Sequence, residues 1–192
     1  MFRTTDTHVY FLGGYFSQWA HTPFSAPLPQ LRPTSSGAKL SKVGTLRFSH
    51  AEQYMMASKA MVFNDQDTML EIMDSKHPGD QKKLGRKVKN FQPEVWEAVC
   101  RPVVYLGNWY KFVQHEGARK FLEEHRGKKF VEGADYDPIW GVGISWDDPL
   151  IEDEANWKGT NYLGEVIMKV DSDLVAHGES ADPWQMMKLG WT

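Results

Sequence analysis

The sequence predicts a mainly α-helical domain with a minor β-strand component. Apolar residues recur at helical spacing in three stretches, 50–63, 93–113 and 163–170. Only two short stretches, residues 9–12 and 128–132, have the composition of β-strands. With 192 residues, of which 41% are hydrophobic, the chain is long enough to form one domain with a substantial core.

Composition excludes several classes of site. The single cysteine, Cys100, excludes an intrachain disulfide and a thiolate zinc site, and the seven histidines are scattered along the chain. His115 and Glu116 begin a zinc-protease pattern, but Arg119 stands where the second histidine ligand is required. We therefore expect no metal. Because neither a signal segment nor a long apolar span is present, we expect a cytoplasmic protein that does not contact a membrane.

Two loops are predicted before the first helix. The segment Tyr15–Trp19 mixes aromatic and polar side chains, which could stack on a planar ring or cover the core. Residues 25–45 contain three prolines, so we expect a long polar loop without regular structure, either a substrate-facing flap or a disordered segment. The region from Thr7 to Ala51 holds no acid, and its charged residues are all cationic: Arg32, Lys39, Lys42 and Arg47.

The predicted helix 50–63 begins with an acid in its first turn. Ser49 followed by Glu52 is a capping-box pattern, in which both side chains satisfy backbone amides at the helix start. Glu52 and Lys59 also lie on one helical stripe, so the carboxylate and the ammonium face the same way. That arrangement suits a site that holds an anionic substrate beside a reactive acid. Spacing alone leaves both interpretations of Glu52 open.

Three further features follow that helix. Asp65 is expected to cap a short second helix, and a third carries five cations within residues 81–89. Such a run indicates either a solvated basic face or a phosphate site. Pro93 is placed as the first residue of the longest helix. Trp96 on that helix belongs either to the core or to the edge of a pocket, where an indole can stack on a base.

The C-terminal third contains a second dense group of polar and aromatic residues. The loop 134–143 combines two acids, a tryptophan and two glycines, but lacks the third glycine of a dinucleotide-binding fingerprint. Thr160 is expected to cap the next helix, whose first backbone amides could bind a phosphate. Helical periodicity is lost after Asp171. We therefore predict one domain over residues 1–171 and a C-terminal extension over 172–192.

Six motifs, taken together and in this order, resemble those of the NADAR family, also called the YbiA-like family. They are Gly14–Ser17, Ser49–Tyr54 with Lys59, Leu84–Arg86, Trp96, Asp137–Gly143 and Trp157–Gly164, within roughly residues 9–170. The resemblance implies a single compact YbiA-like helical domain that cleaves N-glycosidic bonds to ribose. The family is known for activity on riboflavin-pathway intermediates and on ADP-ribose attached to guanine in DNA.

The resemblance also implies roles for individual residues. Glu52, Asp137 and Trp96 match the catalytic positions: two carboxyl groups for an oxocarbenium-like transition state, and an indole that stacks on the base or ribose. Positions expected to line the pocket are matched by Phe16, Ser17, Lys59, Arg86, Trp140, Gly141 and Asn161. The chemistry implied requires neither a metal nor another cofactor.

Few sequence features bear on the size of the substrate. The acid-free region from Thr7 to Ala51 favours a polynucleotide, because its cations could bind a phosphate backbone. Departures from the family pattern, among them Gln18 in place of asparagine, leave two alternatives: a small riboflavin-pathway ribosylamino-pyrimidine phosphate, or a module that only binds NAD or ADP-ribose. We expect an enzyme acting on ADP-ribosylated nucleic acid or a small ribosylated nucleotide. The sequence leaves the oligomeric state open.

Overall fold

The computed structural model describes residues 1–35 and 37–187. Its elements, in chain order, are strands β1 (Phe2–Thr4), β2 (His8–Phe11), β3 (Phe24–Thr34) and β4 (Gly37–Phe48), helices α1 (Ala51–Val62), α2 (Gln66–Asp74), α3 (Pro78–Gly85), α4 (Pro93–Gln114) and α5 (Glu116–Glu124), strand β5 (Lys129–Glu132), and helices α6 (Tyr162–His177) and α7 (Pro183–Met186). Helices dominate, as predicted. In these ranges no helix is long and apolar enough to cross a membrane.

A three-stranded sheet in the order β1-β2-β5 joins the two halves of the chain. β2 pairs in parallel with β5, so Phe11 lies opposite Glu132 at the carboxyl ends of both strands. Val9, Phe130 and Val131 are buried, which accounts for the apolar composition of these two short strands. The pairing brings the loop after β2 beside the loop after β5, at one edge of the sheet.

The prediction of an irregular loop over residues 25–45 is wrong. This stretch belongs to the β3–β4 hairpin, whose strands pair in antiparallel register along their whole length. Gly44 is the extra residue of a bulge in β4 and takes a φ of +42°, which glycine adopts without a steric penalty. The polar, proline-containing composition that suggested a loop therefore belongs to a paired strand.

Prolines are accepted in β3 because they fall on the side of the strand that has no partner. Alternate residues of a strand direct their backbone N–H groups to the same side. The Ser25 amide donates to the Gln114 side chain of α4 at 2.9 Å, so its side faces away from β4. Pro27, Pro29 and Pro33 share that side by their even spacing from Ser25. Their missing N–H groups thus lie on an edge where proline is tolerated.

Helix α1 is the central element of the fold. It packs against α2, α3, α4 and β3, and ten of its twelve residues are buried. The Tyr54 ring packs against α4 at Gly107. A Cβ added to Gly107 would lie only 2.7 Å from this ring. The Tyr54 hydroxyl donates to the Pro27 carbonyl at 3.1 Å. One buried residue therefore joins the hairpin and two helices.

Helix α4 confirms the long helix predicted from Pro93 onward. Cys100, Val103 and Leu106 are buried, as helical spacing predicted. Burial also extends to Trp109, because α6 covers another side of the helix. The buried surface of α4 is therefore wider than the single apolar stripe that the sequence predicted.

Helix α6 continues through His177, so the domain boundary predicted at residue 171 falls inside a helix. Asp171 accepts a hydrogen bond from Arg126 at 3.0 Å. Asp173 accepts one from the Tyr105 hydroxyl at 2.7 Å. These acids interrupt the apolar periodicity but have partners on other elements, which is why the loss of periodicity did not mark the end of the helix.

The segment after α6 packs on the same body. Trp184 is buried, and its indole N–H donates to the Tyr110 hydroxyl at 3.2 Å. Asp182 accepts from Lys42 of β4 at 3.0 Å. Of the predicted extension 172–192, the part through residue 187 is therefore joined to the domain, and residues 188–192 lie outside the described residues.

Candidate active site

A cavity of about 630 Å³ opens between α1, α3 and the loops that follow β2 and β5. This volume suits a nucleotide-sized ligand. Three acids and three cations lie in its wall: Glu52, Glu132, Asp137, Lys59, Lys82 and Arg86. The wall also contains seven of the residues predicted from sequence: Glu52, Asp137, Trp96, Ser17, Lys59, Arg86 and Trp140. In the part of the chain that the structure describes, no group of His, Cys, Asp or Glu side chains is arranged to hold a metal ion.

Glu52 lies in the first turn of α1, and only 5% of the residue is exposed. Its backbone amide donates to the Gln18 carbonyl at 2.9 Å, which fixes the helix start against the turn after β2. Burial raises the pKa of Glu52 to about 7; Lys82 opposes the rise, Asp137 adds to it, and a hydrogen bond from the Trp19 side chain opposes it. The carboxyl group can therefore exchange a proton near neutral pH.

The capping box predicted at the start of α1 is wrong. His50 precedes the helix, and its side chain makes no capping hydrogen bond. Instead, the Gln53 side chain accepts from the Ser49 amide at 2.8 Å and donates to the Ile72 carbonyl at 3.1 Å. Because Gln53 satisfies the backbone before the helix, the carboxyl group of Glu52 is left to face the cavity.

Asp137 lies in the loop after β5, where its side chain is held as an acceptor. Its Oδ1 accepts from the Ile139 and Trp140 amides at 3.1 and 3.0 Å. Its Oδ2 lies 3.6 Å from Lys82 Nζ. The Asp137 carbonyl also accepts from the Gly141 amide at 3.1 Å. These contacts fix the loop and present a carboxylate to the cavity.

Glu132, at the end of β5, is the acid that sequence reasoning missed. Its side chain lines the cavity. Burial raises the pKa of Glu132 to about 8; Asp137 adds to the rise and Lys82 opposes it. The available signal was a charged residue between Val131 and Gly133, at the carboxyl end of an apolar strand. Side chains at that edge of a parallel sheet commonly line ligand sites.

Lys59 and Trp96 line one side of the cavity, and Phe91 lies beside Lys59. The Lys59 Nζ lies 4.1 Å from the centre of the Phe91 ring and 5.7 Å from the centre of the Trp96 ring. Burial lowers the pKa of Lys59, and the charge of Arg86 lowers it further. Trp96 is partly exposed in the cavity wall, so its ring is available to stack on a planar ligand.

The basic run 81–89 divides between the cavity and the solvent. Lys82 and Arg86 line the cavity, and Arg86 is exposed at its mouth. Lys83 is an exposed side chain that pairs with Asp80 at 3.0 Å. Part of the run is thus a solvated basic face, as one of the two interpretations predicted, while Lys82 and Arg86 line the cavity. Phosphate binding by these two cations stays a prediction.

Three residues predicted to line the pocket lie behind its wall: Phe16, Gly141 and Asn161. Phe16 is fully buried, with its ring centre 4.7 Å from that of Phe130. A Cβ on Gly141 would lie 2.9 Å from the Glu132 carbonyl, so this glycine permits close packing of the loop. The Asn161 side chain accepts from the Glu132 amide at 3.0 Å and donates to the Phe130 carbonyl at 2.9 Å. All three support the site from outside the cavity.

The start of α6 does not offer free amides to a phosphate, contrary to the prediction. Asn161, with a left-handed φ of 56°, precedes the helix in place of the predicted cap Thr160. Three amides donate instead to carbonyls of the preceding loop: Asn161 to Gly141 at 3.1 Å, Tyr162 to Ile139 at 3.3 Å and Leu163 to Trp140 at 3.1 Å. The loop thus occupies the position expected for an anion.

The basic residues of the hairpin lie away from the cavity. No described residue of β3 or β4 belongs to the cavity wall, so the prediction of a substrate-facing flap is wrong. Lys42 is paired with Asp182, and Arg32, Lys39 and Arg47 are exposed on the hairpin. Because the hairpin packs on α1 and α4, its cations are held on a different face of the domain.

Sequence comparison relates most of the chain to known proteins. Residues 2–175 match the NADAR domain family. An N-glycosidase of Acanthamoeba polyphaga mimivirus is 36% identical over 166 residues, which cover 86% of this chain and 95% of that protein. The protein irg-1 of Caenorhabditis elegans is 38% identical over 131 residues, covering 67% of this chain and 62% of that protein. The chain thus spans less than two thirds of the nematode protein's length.

Two further similarities concern a plant protein and a solved structure. The chloroplastic riboflavin biosynthesis protein PYRR of Zea mays is 28% identical over 131 residues, covering 65% of this chain and 19% of that protein. The NMR structure of the E. coli protein YbiA superposes with a TM-score of 0.66 at 23% identity, covering 94% of this chain and 92% of the other. The second similarity shows that the two chains share a fold.

Proposed function

The chain belongs to the NADAR family, and we propose that it is an N-glycosidase that hydrolyses the bond between a ribose and a base nitrogen. The similarity to a mimivirus N-glycosidase over nearly its full length supports this function. One observation carries it: Glu52 and Asp137 reach a single cavity in two different environments. Hydrolysis through an oxocarbenium-like state needs such a pair, one group to exchange a proton and one to remain charged.

The environments assign the two roles. Asp137, with two amide donors and Lys82 beside it, stabilises the positive charge that develops on the ribose ring. Glu52, whose pKa is about 7 because of burial, accepts a proton from the water that attacks the anomeric carbon. The carbon–nitrogen bond breaks with its electron pair going to the base, and the new carbon–oxygen bond forms to water.

The remaining wall provides substrate binding. Trp96 stacks on the base or ribose, and Lys59 beside it binds an anionic group. Lys82 and Arg86 contribute positive charge at the mouth, suited to phosphate. Ser17 and Trp140 complete the wall.

For the substrate, ADP-ribose attached to guanine in DNA is the class we favour. Arg86, which directly follows α3, lines the cavity and is exposed, and its neighbour Lys87 is exposed as well. Trp19 and Tyr136 also line the cavity and are 50% and 71% exposed. Cations can hold a phosphate backbone while exposed aromatic rings stack on unpaired bases. The two cations after α3 replace the hairpin as the expected contact with a polynucleotide.

A second candidate is hydrolysis of riboflavin-pathway ribosylamino-pyrimidine phosphates. The similarity to the riboflavin biosynthesis protein of Zea mays favours it, over 65% of this chain. A substrate of that size would need only the cations in the cavity wall. A module that binds NAD or ADP-ribose without cleaving them is the non-catalytic alternative.

The test compares base release from three substrates: an ADP-ribosylated guanine oligonucleotide, a ribosylamino-pyrimidine phosphate and NAD. We expect release from the oligonucleotide, at a rate that falls as salt concentration rises. Neutralising Arg86 and Lys87 should flatten that salt dependence, whereas neutralising Arg32 and Lys39 on the hairpin should not. Exclusive cleavage of the pyrimidine phosphate would select the second candidate. Thermal stabilisation by ADP-ribose without release of any product would select the binding module.

A further inference from the structure

Glu132 is the carboxyl group in the cavity to which the mechanism above gives no role. Its Oε2 is buried and has no hydrogen-bond partner among the described residues. Its backbone is fixed on both sides, because its amide donates to the Asn161 side chain at 3.0 Å and its carbonyl accepts from Val142 at 2.9 Å. A rigid strand end thus holds an unsatisfied carboxyl oxygen at the cavity wall.

The three acids of the cavity differ in what they receive. Asp137 accepts two amide hydrogen bonds and lies beside Lys82. Glu52 accepts a hydrogen bond from Trp19. Both side chains therefore have at least one hydrogen-bond donor. Glu132 Oε2 accepts no hydrogen bond from the described residues. A buried carboxylate oxygen without a donor is energetically costly, and a protonated carboxyl group in the same place requires an acceptor.

The ionisable groups that act on Glu132, and the tyrosine beside it, come from three helices and a loop. These are Glu52 on α1, Lys82 on α3, Lys111 on α4, and Tyr136 and Asp137 on the following loop. Lys111 is fully buried, and its Nζ reaches the Ser17 carbonyl at 3.4 Å. Burial lowers the pKa of Lys111 to about 7 and raises that of Glu132 to about 8. Near neutral pH the proton therefore resides mainly on Glu132, and Lys111 is only partly charged.

We propose that Glu132 is the proton donor to the departing base. This rests on the N-glycosidase function proposed above. As the bond between the anomeric carbon and the base nitrogen breaks, the electron pair goes to the base and the Glu132 hydroxyl supplies the proton. Water attacks the anomeric carbon and gives its proton to Glu52. The products are the ribosyl group with a hydroxyl on its anomeric carbon and the neutral base, and exchange with solvent returns the proton from Glu52 to Glu132.

A proton donor to the leaving group is needed in proportion to the basicity of that group. A guanine nitrogen that leaves without protonation leaves as an anion and is a poor leaving group, whereas the pyridinium of NAD leaves as neutral nicotinamide and needs no proton. The experiment therefore measures kcat on ADP-ribosylated guanine and on NAD for wild type and Glu132→Gln. Glu71→Gln, an exposed acid on α2, is the matched control and should leave both rates unchanged.

We expect Glu132→Gln to lower kcat on the guanine substrate by about 100- to 10,000-fold and to change kcat on NAD by less than about tenfold. Glu132→Asp keeps the acid on a shorter side chain. Its kcat on the guanine substrate should lie between those of wild type and Glu132→Gln. Equal losses on both substrates would overturn the proposal, because they would indicate a role that does not depend on the leaving group. Thermal unfolding of each variant checks that the fold is retained.

A second measurement decides the protonation state without turnover. In protein labelled with ¹³C at glutamate carboxyl groups, the resonance absent from Glu132→Gln identifies Glu132. We expect it to be that of a neutral acid at neutral pH, and an ionised carboxylate there would overturn the proposal. If wild type releases base from no substrate, the N-glycosidase function fails, while the resonance still shows whether Glu132 holds a proton.

Discussion

Lys82 Nζ lies 3.6 Å from Asp137 Oδ2, and this ion pair joins α3 to the loop after β5 across the mouth of the cavity. Lys82 also lowers the pKa of Glu52 and of Glu132. One lysine therefore opposes the rise in pKa of Glu52 and Glu132 and forms an ion pair with Asp137.

Lys82→Met should shift the pH dependence of catalysis. Loss of the ammonium removes an opposing charge, so the pKa of Glu52 rises further. Because Glu52 must be ionised to accept a proton, the rising limb of kcat/KM should move to higher pH. The measurement is the pH profile of kcat/KM, with Lys83→Met on the solvent side of α3 as its control. An unshifted profile would contradict the coupling.

Glu52→Gln should lower kcat by at least about 100-fold, because the amide cannot accept a proton from water. The fold should be unharmed, since Glu52 makes no cap and its burial disfavours the charged form. Turnover and thermal unfolding, measured on the same preparation, test the loss of activity and the retained fold. Activity near that of wild type would remove Glu52 from the mechanism.

Gln53→Ala, unlike Glu52→Gln, should lower stability and leave the catalytic rate nearly unchanged. The Gln53 side chain accepts from the Ser49 amide and donates to the Ile72 carbonyl, so its removal leaves buried backbone groups unpaired. We expect a loss of about 1–3 kcal/mol in the free energy of unfolding with kcat changed by less than about threefold. Urea denaturation and initial rates provide the comparison. Unchanged stability would show that another group replaces this cap.

The buried acids predict that stability decreases as pH rises toward neutrality. Burial raises the pKa of Glu52 to about 7 and that of Glu132 to about 8, whereas the unfolded chain releases these protons near ~4.3. Between these values the folded protein holds protons that the unfolded chain has lost, so the free energy of unfolding falls with rising pH. At ~1.4 kcal/mol per pKa unit, Glu52 alone accounts for a decrease on the order of 4 kcal/mol.

Denaturant unfolding between pH ~5 and ~8 checks this dependence by difference. The curve of Glu52→Gln should fall less steeply than that of wild type, whereas Glu71→Gln should follow wild type. Lys111 acts in the other direction above its pKa of about 7, because the unfolded chain then holds the proton that the buried amine has lost. Parallel curves for wild type and Glu52→Gln would contradict the raised pKa.

Local spacing predicted most of the helices because each depends on residues close in sequence. Pro93 begins α4. Asp65 precedes α2, and its side chain accepts from the Thr68 amide in the first turn. Both residues act within one helical turn. The hairpin could not be predicted in the same way. Its prolines are compatible with β3 only because the strand has an unpaired edge, and Ser25 shows that this edge faces α4. Which edge of β3 stays unpaired depends on its contact with Gln114, 89 residues away, and local composition does not show it.

The sequence by itself determined Glu52 in the first turn of a buried helix and Asp137 in a tight loop, because turn and helix chemistry are local. Only the tertiary structure decided that Gln53 makes the cap, that Lys82 rather than Lys83 faces the acids, and that Glu132 joins them. Parallel pairing of β2 with β5 sets the last of these, since it places the end of β5 at the cavity. The pKa values of the cavity acids depend on burial and charges contributed by four separate elements, and these elements come together only after the chain has folded.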